Sequence, residues 1–375
     1  LRERTPHLIL SITAFLVFIL SSGSLFAIDT SEPVAAPPLP EVRAMGRAYT
    51  AVANDENTVF YNPAGYATIE EGIVSVLSLD LKINVDESAV NLMDAIISGK
   101  DITSTSNILS YLRNTTFAPG IAGPLYFGRV GNNFGFAFYD NLYMRFSTRS
   151  GAILPIAEFY AYTDLGFIGG YGAPLPFLDN LYGGINFKVL LRMKSRIKGS
   201  VVDVIDTLGE LGDLPAAKSV GFGADLGLLY MPLPWLSLGL TGQDFFGTRF
   251  HWQVIGGSRS FPKSMIKPRI AFGSAVYPLK LFSTRERSSD LVVALDYYDL
   301  LDYSSVLSNI KLGARFSTLR IIDLMGGIDG GYLTGGLGFN LKIVHIGVYY
   351  YVDELGFYPG AKPVQNLTFN FALKW

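Results

Sequence analysis

The chain closes with Leu367-Thr368-Phe369-Asn370-Phe371-Ala372-Leu373-Lys374-Trp375. Phe369, Phe371, Leu373 and Trp375 fall on one side; Thr368, Asn370, Ala372 and Lys374 fall on the other. Alternation at period two predicts a β-strand with two unlike faces. The same rhythm recurs upstream, where Ile185, Phe187, Val189, Leu191 and Met193 oppose Asn186, Lys188, Arg192 and Lys194. Repeated segments of about ten residues separated by turn residues predict an all-β membrane protein, a barrel with lipid outside and a polar lumen inside.

Composition agrees. Of 375 residues 49% are hydrophobic, with 40 Gly, 26 Phe and 21 Tyr. Mean hydropathy is +0.30. The apolar run Leu8 to Leu20 is short for a spanning helix, which needs about 20 residues. With Arg2 and Arg4 before it and Ala27 after it, the run predicts a signal peptide over 1–27, against the alternative of a retained anchor helix. No later run is apolar enough to span as a helix, so alternate positions on strands must carry the grease. A soluble sandwich or propeller also alternates, but its outer face should be rich in charge. With no cysteine, the chain has no disulfide, thiol nucleophile or thiolate metal site. A net charge of −2 argues for no nucleic-acid partner. Three scattered histidines (His7, His251 and His345) predict neither a metal centre nor a Ser-His nucleophile, and no cofactor is expected.

A Pro- and Ala-rich linker is expected over 28–40. In 41–71, Val42, Met45, Tyr49 and Val52 follow helical spacing, broken at Asn54-Asp55 and Asn62-Pro63; the segment reads as a small helical plug rather than a strand. The barrel is expected over 72–375. Strands are read from near Gly72, into and out of a hairpin turn at Gly131-Asn132-Asn133 with Phe134 to Phe146 in its second strand, through Ala157 to Phe167 and Ile185 to Lys194, and near 218–231, 235–247, 266–278, 289–299, 308–318, 320–328, 332–341, 343–353 and 365–375, fourteen antiparallel strands in all. Helical insertions are expected from Ser88 to Gly99, at Asn107 to Arg113 and at Val202 to Leu211. Long connections at 84–117, 198–217, 247–265 and 354–364 fall on one side and most short ones on the other, as outer-membrane barrels have it. Lys188, Arg192 and Lys194 would each cost about 2–4 kcal/mol toward lipid at the midplane, so they are read as lumenal, with Lys311 and Arg315. Tyr230, Trp235, Tyr277, Tyr349 to Tyr351 and Trp375 are read as interfacial girdles.

Arg43-Ala44-Met45-Gly46-Arg47-Ala48-Tyr49-Thr50-Ala51-Val52-Ala53-Asn54-Asp55, followed by Tyr61-Asn62-Pro63-Ala64-Gly65, resembles the N-terminal hatch of the FadL-type family of outer-membrane transporters for hydrophobic compounds. The resemblance covers the order signal, hatch, strands and terminal aromatic. It implies a fourteen-stranded barrel in the bacterial outer membrane, plugged by a hatch that includes Met45, Gly46, Asn62, Pro63, Ala64 and Gly65. It further implies a ligand such as a long-chain fatty acid, which meets an apolar patch among the outer loops and enters a lumenal pocket. The ligand then leaves sideways into lipid through a gap beside a kinked third strand. PorV-type relatives resemble the same hatch and instead carry or anchor secreted proteins, which is the alternative function. On the residues alone, Asn62-Pro63-Ala64-Gly65 is either a tight segment held inside a lumen or an ordinary turn into the first strand.

In the third strand, alternation after Phe134, Phe136 and Phe138 sends Asp140 outward. A bulge near Tyr139-Asp140-Asn141 would relieve that cost, and with Gly135 these residues are the candidate lateral opening; an interfacial Asp is the alternative. Lys188, Arg192, Arg269 and Arg315 are candidates for a ligand headgroup, or for lumenal ion pairs with Asp80, Glu158, Asp225 and Asp296. Val90, Leu92, Met93, Ile96, Ile97, Ile108, Leu109 and Leu112 could form an outer apolar groove or pack on the barrel rim. Trp375 and its alternate aromatics resemble the signal read by the barrel-assembly machinery, an expected partner together with outer-membrane lipid.

Overall fold

A computed structural model describes residues 32–33, 39–100, 115–150, 155–209, 214–256, 260–281, 289–300, 306–356 and 358–375. The expected signal peptide, most of the linker and the insertion at Asn107 to Arg113 lie outside them. No described helix is long and apolar enough to cross a membrane.

The alternating segments form a closed antiparallel barrel of fourteen strands. They are β1 (Ile73–Asn84), β2 in three runs (Thr116–Phe117, Gly120–Ala122, Phe127–Gly131), β3 (Phe134–Arg149), β4 (Ile156–Pro174), β5 (Leu181–Ser200), β6 (Ala216–Leu233) and β7 (Leu236–Gln243). The wall continues with β8 (Arg269–Val276), β9 (Ser289–Tyr297), β10 (Ile310–Thr318), β11 (Ile322–Asp329), β12 (Tyr332–Leu341), β13 (Val344–Glu354) and β14 (Pro363–Lys374). Each strand pairs with its sequence neighbour, and β14 returns to β1 in the register Leu81↔Phe369 and Asn84↔Asn366. Closure leaves no unpaired edge for lipid to meet.

The two faces of the wall are inverted relative to a water-soluble protein. Phe187 is 63% exposed and Phe222 68%, while Arg192 and Asp164 are fully buried. Phe222 sits on the outer face of β6 and Asp225, three residues on, points inward against Lys188. Apolar atoms outside and paired charges inside are stable only if the outside is lipid. Three of the expected girdle residues depart from that pattern, and one of them, Tyr277, is buried in the core shared with the N-terminal segment. Tyr349 and Tyr351 are buried, because their parity on β13 turns them into the lumen.

Wall height is uneven. β4 and β5 run 19 and 20 residues, whereas β7 and β8 have only 8 each. At about 3.3 Å per residue the short pair reaches about 26 Å, somewhat less than the bilayer core of about 30 Å, and the tall wall rises well beyond it. The expected strands at 235–247 and 266–278 are thus shorter than their alternation suggested. The chain between them instead makes a separate ribbon, Thr248–Phe250 against Ser264–Ile266. Gln253–Gly256 then pairs with the upper end of β6. Phe250 and Ile266 pack on Leu190, so the ribbon leans against the tall wall.

Inside lies the N-terminal segment. It is not one helix. α1 (Pro40–Ala44) stops where Gly46 and Arg47 take positive φ. α2 (Thr58–Tyr61) and a 3₁₀ turn (Pro63–Ala67) follow. Val42, Met45, Tyr49 and Val52 are buried as their spacing suggested, but by contact with the barrel wall rather than along one helical stripe. α3 (Glu87–Ile97) and α4 (Val201–Gly209) occupy two of the expected insertions, at the end with the long loops. Val90 and Ile97 are exposed there. The side chains of Leu92, Ile96, Ile108, Leu109 and Leu112 lie outside the described set.

Candidate functional site

The segment 39–69 is held by side chains and backbone together. Asn62 Nδ2 donates to the Thr50 carbonyl at 2.8 Å and to the Leu228 carbonyl of β6 at 3.1 Å, while its Oδ1 accepts from Ala64 N. The wall opposite is cut away: a Cβ at Gly184 would lie 2.3 Å from Pro63 C, so only glycine admits this approach. On the other side Gly46 N donates to Thr334 Oγ1 at 3.1 Å, and that hydroxyl donates to the Ala44 carbonyl at 2.8 Å. Asp296 accepts from the backbone N–H groups of Tyr49 and Thr50 at 2.8 and 2.7 Å. The six residues Met45, Gly46 and Asn62 to Gly65 therefore sit inside the barrel, touching β5, β6, β10 and β12. Non-helical backbone at this depth needs such partners, and the wall supplies them.

Charge fixes the same segment near the closing strand. Glu41 Oε1 lies 2.7 Å from His345 Nε2, and Lys374 Nζ lies 2.7 Å from Glu56. Burial pushes the Glu41 carboxyl upward, but Lys374, and after it His345, hold it well below the usual carboxylate range.

Toward the loop end a cavity of about 400 Å³ lies between this segment and the tall wall. Arg43, Arg47, Lys82, Arg145 and Arg269 line it with Asp353 and Glu354; Arg43 pairs with Asp353, Arg47 with Asp329 at 2.6 Å and Arg145 with Glu158 at 3.8 Å. Tyr61, Tyr143, Tyr160, Tyr162, Tyr298 and Tyr351 supply its aromatic surface. Lys82 Nζ stands 4.8 Å from the Tyr143 ring centroid, and its nearest carboxylate, Asp353, is 3.8 Å away. Burial and the neighbouring Arg47 press the Arg43 guanidinium below its ordinary value. Such a cavity offers an amphiphile exchangeable cation contacts for an anionic group and rings for an apolar body.

The four cations singled out from sequence are brought to different places. Lys188 bridges Asp225 at 2.7 Å and Asp244 at 2.9 Å. Arg192 makes two bonds of 2.7 Å to Asp164. Arg315 reaches Asp55 at 3.1 Å. Only Arg269, 3.1 Å from Asp299, lines the cavity. Of the four acids expected as partners, Asp225 alone takes that role for this set. Asp296 holds the N-terminal backbone, Asp80 accepts from Asn370 and Glu158 pairs with Arg196. Arg43, Arg47, Lys82 and Arg145 were missed. The first two stand within the hatch-like motif, and Lys82 is the one basic residue of β1, the signal that could have found it.

The wall is interrupted beside this cavity, in β2 rather than β3. β3 pairs with β4 without a break from Phe134↔Tyr171 to Arg149↔Ile156, so the bulge expected at Tyr139–Asn141 is absent on that side. Between Ala122 and Phe127 the chain of β2 leaves the ladder instead. Asp140 is where expected, on the outer face, and it serves the break: its carbonyl accepts from Gly123 N at 3.3 Å and its Oδ1 from Leu125 N at 3.1 Å. Gly123 has φ +84°, and a Cβ there would meet the Ser78 carbonyl at 1.7 Å. A crevice runs from Leu39, Glu41 and Glu56 of the inner segment, past Ser78 and Tyr126, to Gly123 and Asp140 in the wall. Gly135, Tyr139 and Asn141 instead face inward. Gly135 lies under the Tyr66 ring, and Tyr139 packs edge-on to Phe60 at 5.3 Å. Among the described residues no group of His and acidic side chains could hold a metal.

No protein-family model matches the chain, and no curated protein sequence does. Solved structures do. The CymD monoaromatic hydrocarbon channel aligns at 11% identity over 90% of this chain and 98% of that one, with a TM-score of 0.48. The Ralstonia pickettii toluene transporter TbuX aligns at 15% identity over 89% and 97%, with a TM-score of 0.49. The Pseudomonas putida toluene transporter TodX aligns at 12% identity over 92% and 99%, with a TM-score of 0.46.

Proposed function

We propose that this chain is a bacterial outer-membrane barrel, and not an enzyme, that passes amphiphilic molecules of the fatty-acid type through its wall. The N-terminal segment 41–71 is the hatch that stoppers the bore. A ligand enters from the loop end, seats its anionic group among Arg43, Lys82 and Arg269 with its apolar body on the tyrosines, and leaves sideways through the interruption in β2 into outer-membrane lipid. The single observation that carries this reading is the pairing of a cationic, tyrosine-lined cavity with a break in the wall beside it, Gly123 to Tyr126 opposite Asp140. An apolar product released sideways never crosses water, which suits a molecule that gains about 0.8 kcal/mol per buried CH₂. The closing strand, ending in Trp375, is the part offered to the barrel-assembly machinery.

Uptake of radiolabelled laurate into cells lacking other routes tests the proposal. Uptake that depends on the chain supports it. Absent uptake, with a secreted protein co-purifying in stoichiometric amount, would replace it by a protein-carrying role.

A further inference from the structure

At the loop end, above the cavity, the carboxylate of Glu32 is gripped by the barrel. Its Oε1 lies 2.5 Å from Lys194 Nζ and accepts from Ser264 Oγ at 2.6 Å; its Oε2 lies 3.5 Å from Arg192 Nη1 and from Tyr160 Oη. The groups that hold it are themselves prearranged. Arg192, fully buried, is oriented by its two bonds to Asp164. Ser264 receives the Trp252 indole N–H at 2.8 Å, which turns its own hydrogen toward Glu32. Lys194 sits over the Trp252 ring at 3.7 Å. Glu32 precedes the 41–71 segment, and among the described residues Glu32 and Pro33 add two backbone bonds, Glu32 N to the Met265 carbonyl and Arg192 Nη1 to the Pro33 carbonyl.

We infer that Lys194, Ser264 and Arg192 form a carboxylate subsite at the outer mouth, and that Glu32 is its resident, displaceable ligand. Three observations support a binding site over a structural ion pair. The charges count: two cations against Asp164 leave one positive charge that requires an anion from elsewhere. Glu32 and Pro33 themselves belong to no strand or helix, and two backbone bonds are what they add to the carboxylate contacts. The subsite adjoins the cavity, since Tyr160, Tyr162 and Pro33 line both. An incoming amphiphile with a carboxylate reproduces the side-chain contacts of Glu32 and displaces it, whereas an uncharged amphiphile of the same length cannot. This inference rests on the transport reading for its ligand class, though not for its geometry.

The test uses the full barrel in nanodiscs and two probes of equal chain length, laurate and dodecanol. Glu32→Ala frees the subsite, and laurate should bind at least fivefold more tightly than to wild type, with dodecanol unchanged. Adding Lys194→Met to that variant should remove the gain. Retained heat-modifiable mobility shows that each variant is folded. Equal laurate affinity with and without Glu32, or an equal gain for dodecanol, overturns the inference. The two readings separate cleanly. Tighter laurate binding without any cellular uptake keeps the subsite and removes the transporter, and uptake with Glu32-independent affinity does the reverse.

Discussion

Glu41 and His345 stand 304 positions apart in sequence, yet the carboxylate of one lies 2.7 Å from Nε2 of the other. Asn340 Nδ2 donates to Asp323, so its Oδ1 faces His345 Nδ1, at 2.6 Å. Both ring nitrogens thus point at oxygen, and the start of the inner N-terminal segment is tied to the closing strands of the barrel.

That tie predicts a pH effect. The Glu41 carboxyl is held below its unfolded value, so its contribution is complete above the ordinary carboxylate range and is lost as pH falls through and below it. Glu41→Gln should lower the free energy of unfolding in detergent by about 3 kcal/mol at neutral pH, the usual cost of breaking a buried pair. The deficit should shrink on acidification. Thermal melts of both proteins from pH 7 to pH 3 check this, and a deficit that grows in acid would contradict it.

Asn62 anchors the inner N-terminal segment with three hydrogen bonds. Asn62→Ala leaves buried carbonyls of Thr50 and Leu228 without this donor and should cost about 1–3 kcal/mol. The looser plug should also raise single-channel conductance in planar bilayers. An unchanged closed state would mean that the hatch is held elsewhere.

The break in β2 gives a steric prediction. Ser78→Phe fills the crevice between the hatch and Gly123 without touching the outer face. Laurate uptake should fall at least tenfold while the purified barrel keeps its heat-modifiable mobility. The same replacement at Gly135 would instead press on Tyr66 and destabilise the hatch.

Lys82 offers the cavity its least committed cation, with Asp353 at 3.8 Å. Lys82→Met should weaken laurate binding about tenfold, the loss of one charge-assisted contact of about 1.5–3 kcal/mol, and leave dodecanol binding unaffected. Equal losses for both probes would point to packing rather than charge.

On the outer wall, Phe222→Lys places a cation where a 68%-exposed ring now stands. Toward lipid it should destabilise the folded barrel by about 2–4 kcal/mol. Phe222→Leu serves as the control.

Much of this was legible in the residues because a barrel repeats one local rule. Period-two alternation needs only neighbouring positions, and it marked the wall, its faces and the lumenal place of Lys188, Arg192, Lys311 and Arg315. Strand ends were less legible. β7 and β8 stop early because the chain beyond them pairs with itself and with β6, a choice that alternation does not encode. Tyr349 and Tyr351 were misread for a related reason: an aromatic near a strand end suits a girdle or a lumen equally, and only parity against the closed wall decides.

The sequence by itself determined that the chain buries charge and displays grease, which follows from spacing along the strands; it also marked a non-strand segment ahead of the first strand, read as helical and found to be broken into short turns. Which cation meets which carboxylate, that the ladder breaks in β2 rather than β3, and that Arg43 and Lys82 share a cavity were decided only by closure. Those contacts join residues dozens to hundreds of positions apart. Their distances depend on the register and diameter of a cylinder that exists only when β14 meets β1.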